Sequence, residues 1–140
     1  MKRVLIFGVF DLLHEGHKYF LKKSKEFGDF LIVSVARDTY VQQYKGRTPE
    51  HDENQRIAAL EKSGLADQVI LSDSDIGTFN VVEKTHPDVI CLGYDQNKLK
   101  ENLLAWIDAK ALKIKVLTMP PFKEDTYKTT YLIDNKRQGS

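Results

Sequence analysis

The chain has 140 residues with 21 basic and 20 acidic side chains, a formal net charge of +1, so no global positive field draws it to nucleic acid and each cation must be judged by position. A hydrophobic share of 41% and a charged share of 29% are those of an ordinary globular protein, long enough for one domain with a real core (residues 1–140). The single cysteine, Cys91, excludes an internal disulfide, and no window is apolar enough to span a bilayer. Met1-Lys2-Arg3 and the apolar stretch after it do not make a signal peptide, because Asp11 and His14 interrupt the stretch. The expectation is a soluble, cytoplasmic protein without membrane or nucleic acid partners, with monomer and homodimer both left open.

Val4 to Phe7, an apolar run closed by Gly8, predicts a central strand covered on both faces. Gly16 to Phe27 reads as a helix, with Phe20, Leu21 and Phe27 inward, Lys18, Lys22 and Lys25 outward, and Gly28 as its stop. Phe30 to Ala36 is a second strand, and a short helix follows over Thr39 to Tyr44. Arg37 and Asp38, at that strand's end, could form a local ion pair. The polar segment from Lys45 to His51 reads as a mobile loop. Asp52 with Gln55 makes a capping box for a helix reaching about Lys62. Gln68 to Leu71 is the third strand, Ile76 to Thr85 a helix with Phe79 and Val82 inward, and Asp88 to Leu92 the fourth strand. Leu99, Leu103, Ile107 and Leu112 mark a longer helix, Ile114 to Leu117 the fifth strand, and Thr129 to Arg137 a last helix.

Strands alternating with helices imply an α/β fold: a Rossmann-like, doubly wound domain with a five-stranded parallel sheet and helices on both faces. Ligands of such sheets bind beyond the carboxyl ends of the strands. That rule gathers Gly8-Val9-Phe10-Asp11, Arg37-Asp38, Gly93-Tyr94-Asp95-Gln96 and the segment after Pro121 around one crevice.

The first strand runs into Gly8-Val9-Phe10-Asp11-Leu12-Leu13-His14-Glu15-Gly16-His17, which opens the first helix. It is neither of the familiar glycine-rich phosphate loops. Gly8 would let a nucleotide approach the backbone, and Gly16 would keep the helix start free of bulk. The free N–H groups of that helix start form an anion site, and His14 and His17 can aim donor nitrogens at phosphate oxygens without acting as bases. A zinc site on the two imidazoles would need further ligands, and His51, His86 and Cys91 are all that remain apart from carboxylates. No resident metal is therefore expected.

Taken whole, this string resembles the G-x-F-D-x-x-H-x-G-H signature of the cytidylyltransferase-like nucleotidyltransferases, and Arg37-Asp38, Lys45-Gly46-Arg47, Arg56 and Leu92-Gly93-Tyr94-Asp95 fall where that family places functional segments. The resemblance implies that Val9, Phe10, His14 and His17, with Gly8, Asp11 and Gly16 of the same string, hold a nucleoside triphosphate brought in with Mg²⁺. It implies that Lys45 and Arg47 cover the phosphates, that Arg56 supports the triphosphate or the acceptor phosphate, and that Asp95 contacts the nucleoside. Tyr127, Thr129 and Thr130 stand near the family's Ser/Thr-rich helix start, but the Arg-Thr pair common there is absent. The implied reaction is transfer of a nucleoside monophosphate to a phosphorylated small molecule with release of pyrophosphate. The turns after the second and fourth strands look closest to archaeal-type FAD synthases, which adenylylate FMN. A glycerol-3-phosphate or sugar-phosphate cytidylyltransferase is the alternative, and a catalytically silent nucleotide-binding regulator is the alternative of another class.

Overall fold

The computed structural model describes residues 1–74 and 78–122. Five strands, β1 (Arg3–Gly8), β2 (Phe30–Val35), β3 (Gln68–Leu71), β4 (Val89–Gly93) and β5 (Lys115–Met119), form one sheet in the order β3-β2-β1-β4-β5. Every pairing is parallel, with Leu5 opposite Ile32 on one side of β1 and Ile90 on the other. The chain winds outward from β1 to β3, then crosses back to lay β4 and β5 on the far side. The winding therefore reverses between β1 and β4.

The helices are α1 (Glu15–Lys25), α2 (Asp38–Lys45), α3 (Glu53–Ser63), α4 (Asn80–Thr85) and α5 (Asn97–Lys110). The apolar runs of the strands are continuous because both sheet faces are buried. Val4, Ile6, Leu31, Val33, Val35 and Cys91 face Leu21 of α1 and Leu60 of α3. Leu5, Phe7, Ile32, Ile90 and Leu92 face Val81 and Val82 of α4 and Leu103 and Ile107 of α5, with Phe79 beside them. The doubly wound sheet with helices on both faces is thus as expected. Burial pushes the Cys91 thiol up to about 11, as befits an inert core residue.

Several boundaries differ from the sequence reading. α1 ends at Lys25, so Phe27 lies beyond it and is exposed rather than inward. Gly28 does not stop the helix but lets the chain pass close to β1, since a Cβ there would lie 2.6 Å from the Val4 side chain and 2.7 Å from the Lys2 carbonyl. α5 ends in the left-handed residue Ala111, which turns Leu112 out to solvent. α4 starts at Asn80, where the Asp73 carboxylate accepts from the N–H groups of Asn80 and Val81. Asp52 and Gln55 make the expected reciprocal cap of α3. The helix expected over Thr129 to Arg137 lies outside the described residues.

A buried cation fastens the carboxyl ends of β1 and β2. Arg56 of α3 has 0% exposure. Its Nη1 donates to the Val9 carbonyl at 2.9 Å and the Ala36 carbonyl at 2.8 Å, its Nε to the His51 carbonyl at 3.1 Å, and its Nη2 to Asp38 Oδ1 at 2.6 Å. Asp38 and Glu53 add reciprocal bonds, each carboxylate taking the other's backbone N–H. The expected Arg37–Asp38 ion pair is not formed: Arg37 Nε donates to the Ser72 carbonyl, and Asp38 is committed to Arg56 and Glu53. Replacing Arg56 by Met keeps the volume but strands three carbonyls and a carboxylate. We expect Arg56→Met to cost about 3–5 kcal/mol, the range for breaking one side of a buried charge pair. The measurement is the midpoint and slope of urea denaturation, and a loss below about 1 kcal/mol would remove Arg56 from this role.

Candidate active site

The turn from β1 into α1 leaves the sheet beside the reversal point, and its shape comes from two left-handed non-glycine residues, Phe10 (φ 55°) and Leu12 (φ 51°). Such backbone is strained for branched and bulky side chains and persists only where packing enforces it. Packing does so at Phe10, whose ring is buried over Gly8 and lies edge-on to His17 at 5.4 Å and stacked on Phe20 at 6.4 Å. A Cβ on Gly8 would meet that ring at 2.5 Å. The lack of a side chain at Gly8 thus seats Phe10, whereas the sequence suggested room for a nucleotide there. Phe10 in turn offers a ligand no ring face.

α1 begins with an unusual cap. The His14 side chain folds back so that Nδ1 accepts the Gly16 N–H at 3.1 Å, while the His14 N–H is accepted by His17 Nδ1 at 3.2 Å. The two rings stack at 3.7 Å and 19°. Gly16 is required by this geometry, because a Cβ there would stand 3.0 Å from His14 Cε1. With both Nδ1 atoms accepting, each neutral imidazole carries its proton on Nε2, which remains available as a donor. Burial, then the neighbouring His14, hold His17 down to about 4 from an ordinary 6.5, against the upward pull of Asp11. Burial also lowers His14, against the pull of Glu15. The pair is therefore neutral at pH 7: two fixed dipoles at a helix start whose Gly16 N–H is already capped by His14.

The other expected residues differ in their surroundings. Val9 borders the turn, its carbonyl taken by Arg56. Asp11 accepts from the Glu50 N–H at 2.8 Å and the His51 N–H at 3.0 Å, and Arg47 lies 3.7 Å from its Oδ2. Lys45 is the exposed last residue of α2, before Gly46 turns the chain left-handed. Asp95 is exposed after β4, in the turn that faces β1. Arg56 is the exception. It was expected to support a phosphate, yet its side chain is wholly buried and faces three carbonyls and Asp38, so in this structure it shapes the site from behind. Tyr127, Thr129 and Thr130 lie outside the described residues.

Sequence reasoning gave Gln96 no role. Its Oε1 accepts the Gly93 N–H at 2.7 Å and its Nε2 donates to the Phe7 carbonyl at 3.0 Å, clipping together the ends of β1 and β4. A glutamine just past a strand carries no local signal of such a clip, since its partners lie on two strands. No helix among the described residues is long and apolar enough to cross a membrane.

The chain is similar in sequence and fold to known proteins. The model of the family described as cytidylyltransferase-like matches residues 5–135. The chain is 38% identical over 132 residues to the FAD synthase of Thermococcus sibiricus, covering 94% of this chain and 89% of that one. It is 40% identical over 124 residues to the FAD synthase of Methanosarcina barkeri, covering 89% and 87%. A solved structure titled as the lipopolysaccharide core biosynthesis protein of Thermoplasma volcanium superposes with a TM-score of 0.80 at 37% identity, covering 88% of this chain and 99% of that one. Pantothenate synthetase from Thermus thermophilus shares the fold at a TM-score of 0.67 and 12% identity, covering 99% of this chain and 65% of that one. On the match over residues 5–135 and these relatives, the chain belongs to the cytidylyltransferase-like family and is a nucleotidyltransferase.

Proposed function

We propose that this nucleotidyltransferase is an FAD synthase, moving AMP from ATP to the phosphate of FMN. The observation that carries the chemistry is the stacked His14–His17 pair, neutral and with both Nε2 protons free, at a helix start beside the sheet's reversal point. The choice of substrates rests on the FAD synthases to which the chain is 38–40% identical.

An oxygen of the FMN phosphate attacks the α-phosphorus of ATP in line with the bond to the β-phosphate. The new P–O bond forms, the old one breaks, and its electron pair leaves on pyrophosphate. The attacking group is already an anion, so no general base and no covalent enzyme intermediate are needed. ATP would bring Mg²⁺ with it, and the ion would neutralise charge on the phosphates. His14 and His17 donate from Nε2 to oxygens on which charge grows, and the positive end of the α1 dipole adds to that field. Lys45 and Arg47 reach over the phosphates from the end of α2 and the following loop. Asp95 meets the nucleoside.

Purified protein with ATP, FMN and Mg²⁺ should form FAD and pyrophosphate in equal amounts, read by chromatography of the flavins. A higher kcat/KM for CTP plus glycerol 3-phosphate would give the site to a cytidylyltransferase. Nucleotide binding without turnover on any phosphorylated acceptor would make the chain a regulator.

His17→Ala should lower turnover roughly 10²–10³-fold, the usual loss for one such donor. The lost helix cap should cost only about 1 kcal/mol, so the melting transition should remain cooperative. Near-normal turnover would take His17 out of the chemistry.

Acid should weaken the wild-type fold through the same residue. Folding lowers the His17 pKa from 6.5 to about 4, so its contribution is complete above pH 6.5 and is lost as pH falls towards 4. Urea midpoints taken down that range should drop more steeply for wild type than for His17→Ala. Parallel curves would contradict the buried, neutral state.

A further inference from the structure

Asp11 presents a puzzle at a site meant for a triphosphate. A carboxylate fixed beside two histidines repels polyanions, so its use must lie in what it holds. Its side chain is only 9% exposed. Both oxygens are occupied: Oδ2 by the Glu50 N–H and Oδ1 by the His51 N–H. Burial works to raise its pKa, but those two N–H bonds and the charges of Arg47 and Arg56 hold it below the usual carboxylate range. The segment it grips runs from the left-handed Gly46 through the buried Pro49 to His51, whose carbonyl is in turn held by Arg56. Within it, Arg47 is 52% exposed and lies 3.7 Å from Asp11 Oδ2, beyond hydrogen-bond length.

The two kinds of contact differ in strength. The N–H bonds, at 2.8 and 3.0 Å, are of full hydrogen-bond length and fix the backbone of residues 50 and 51. The Arg47 pair is long and solvated, so it contributes little to stability and can be exchanged at small cost. A guanidinium in that position trades a loose carboxylate contact for a bidentate phosphate contact when one is offered.

We propose that Asp11 is a positioning residue: it latches the 46–51 loop onto the β1–α1 turn and parks Arg47 beside the histidine pair, from which the guanidinium transfers to the triphosphate on binding. Asp11 keeps the loop through Glu50 and His51 throughout. The nucleotide meets Arg47 and not Asp11, in place of the nucleotide contact expected of Asp11 from sequence. The proposal rests on the reading of the histidine pair as the triphosphate site.

The test is a double-mutant cycle on Asp11→Asn and Arg47→Ala, with kcat/KM for MgATP at saturating FMN. Each single variant should lose about 10²-fold, the scale of a misplaced contact group. The double variant should fall little below the worse single, because Arg47 is already out of place without Asp11. Losses that multiply to about 10⁴-fold would overturn the proposal, since independent contacts to the substrate behave so. The Mg²⁺ concentration for half-maximal rate should not change in Asp11→Asn, and a rise would make Asp11 a metal ligand instead. A second arm needs no turnover: in the free protein, amide exchange at Glu50 and His51 should quicken in Asp11→Asn while the strands stay protected. Unchanged exchange at those two amides would overturn the latch. If wild type makes no FAD, the assignment to ATP and FMN fails alone, and the cycle is read on MgATP affinity.

Discussion

The guanidinium of Arg56 gathers the carbonyls of Val9, Ala36 and His51 and the carboxylate of Asp38 at one buried point, and the crevice takes its outline from there. Three chain segments that share no secondary structure converge on it: the exit of β1, the exit of β2 and the loop before α3. Of the three, the Ala36 carbonyl is buried and would otherwise lack a partner, at a cost of about 1–3 kcal/mol. A planar fork with several N–H donors satisfies all three together, which a lysine could not do. This arrangement leaves the positive charge facing inward. Lys45, at the end of α2, and Arg47, beside Asp11, are left exposed.

In front of that support, steric exclusion sets the active geometry. Gly8 admits the Phe10 ring, the ring packs against His17, and Gly16 admits the folded-back imidazole of His14. The left-handed backbone of Phe10 and Leu12 swings the chain from the sheet into α1 within a few residues. Strain of this kind is stored where function requires an improbable turn, and the buried aromatic contacts of Phe10 hold it in place. The spacing of the two histidines around Gly16 thus reflects a self-capping helix as much as a pair of donors. One side of each ring builds the helix end, and the other is left for a ligand.

Much of this was legible in the sequence, and the reasons differ by element. The strands were readable because the sheet is buried on both faces, which forces unbroken apolar runs such as Val4–Phe7 and Val89–Leu92. The α3 cap was readable because Asp52 and Gln55 carry their own local pattern. The histidine element was readable as a ten-residue string. Arg56 was misjudged because an arginine on a helix is ordinarily solvated, and its partner Val9 lies 47 residues away. Gln96 escaped for the same reason, with Phe7 89 residues distant. Phe27 and Leu112 were placed inward by extending a helical period past the point where the helix ends. The bonds of Asp11 to Glu50 and His51 left no local signal, because they depend on how a loop 39 and 40 residues downstream folds back.

The electrostatic design suits an enzyme that must let go of what it makes. Both substrates and both products of the proposed reaction are polyanions, and a pocket of permanent cations would bind all of them tightly. Uniform binding of that sort lowers KM without speeding the chemical step. Imidazoles kept neutral by burial behave differently. Their Nε2–H dipoles interact weakly with diffuse ground-state charge and more strongly where charge concentrates on oxygens of the reacting phosphate. The latched guanidinium extends the same logic, because Asp11 competes with phosphate for Arg47 and so subtracts from the affinity of every anion alike. On the proposed transfer, departure of pyrophosphate would return Arg47 to a carboxylate that lies 3.7 Å away, and that return would offset part of the cost of separating product from cation.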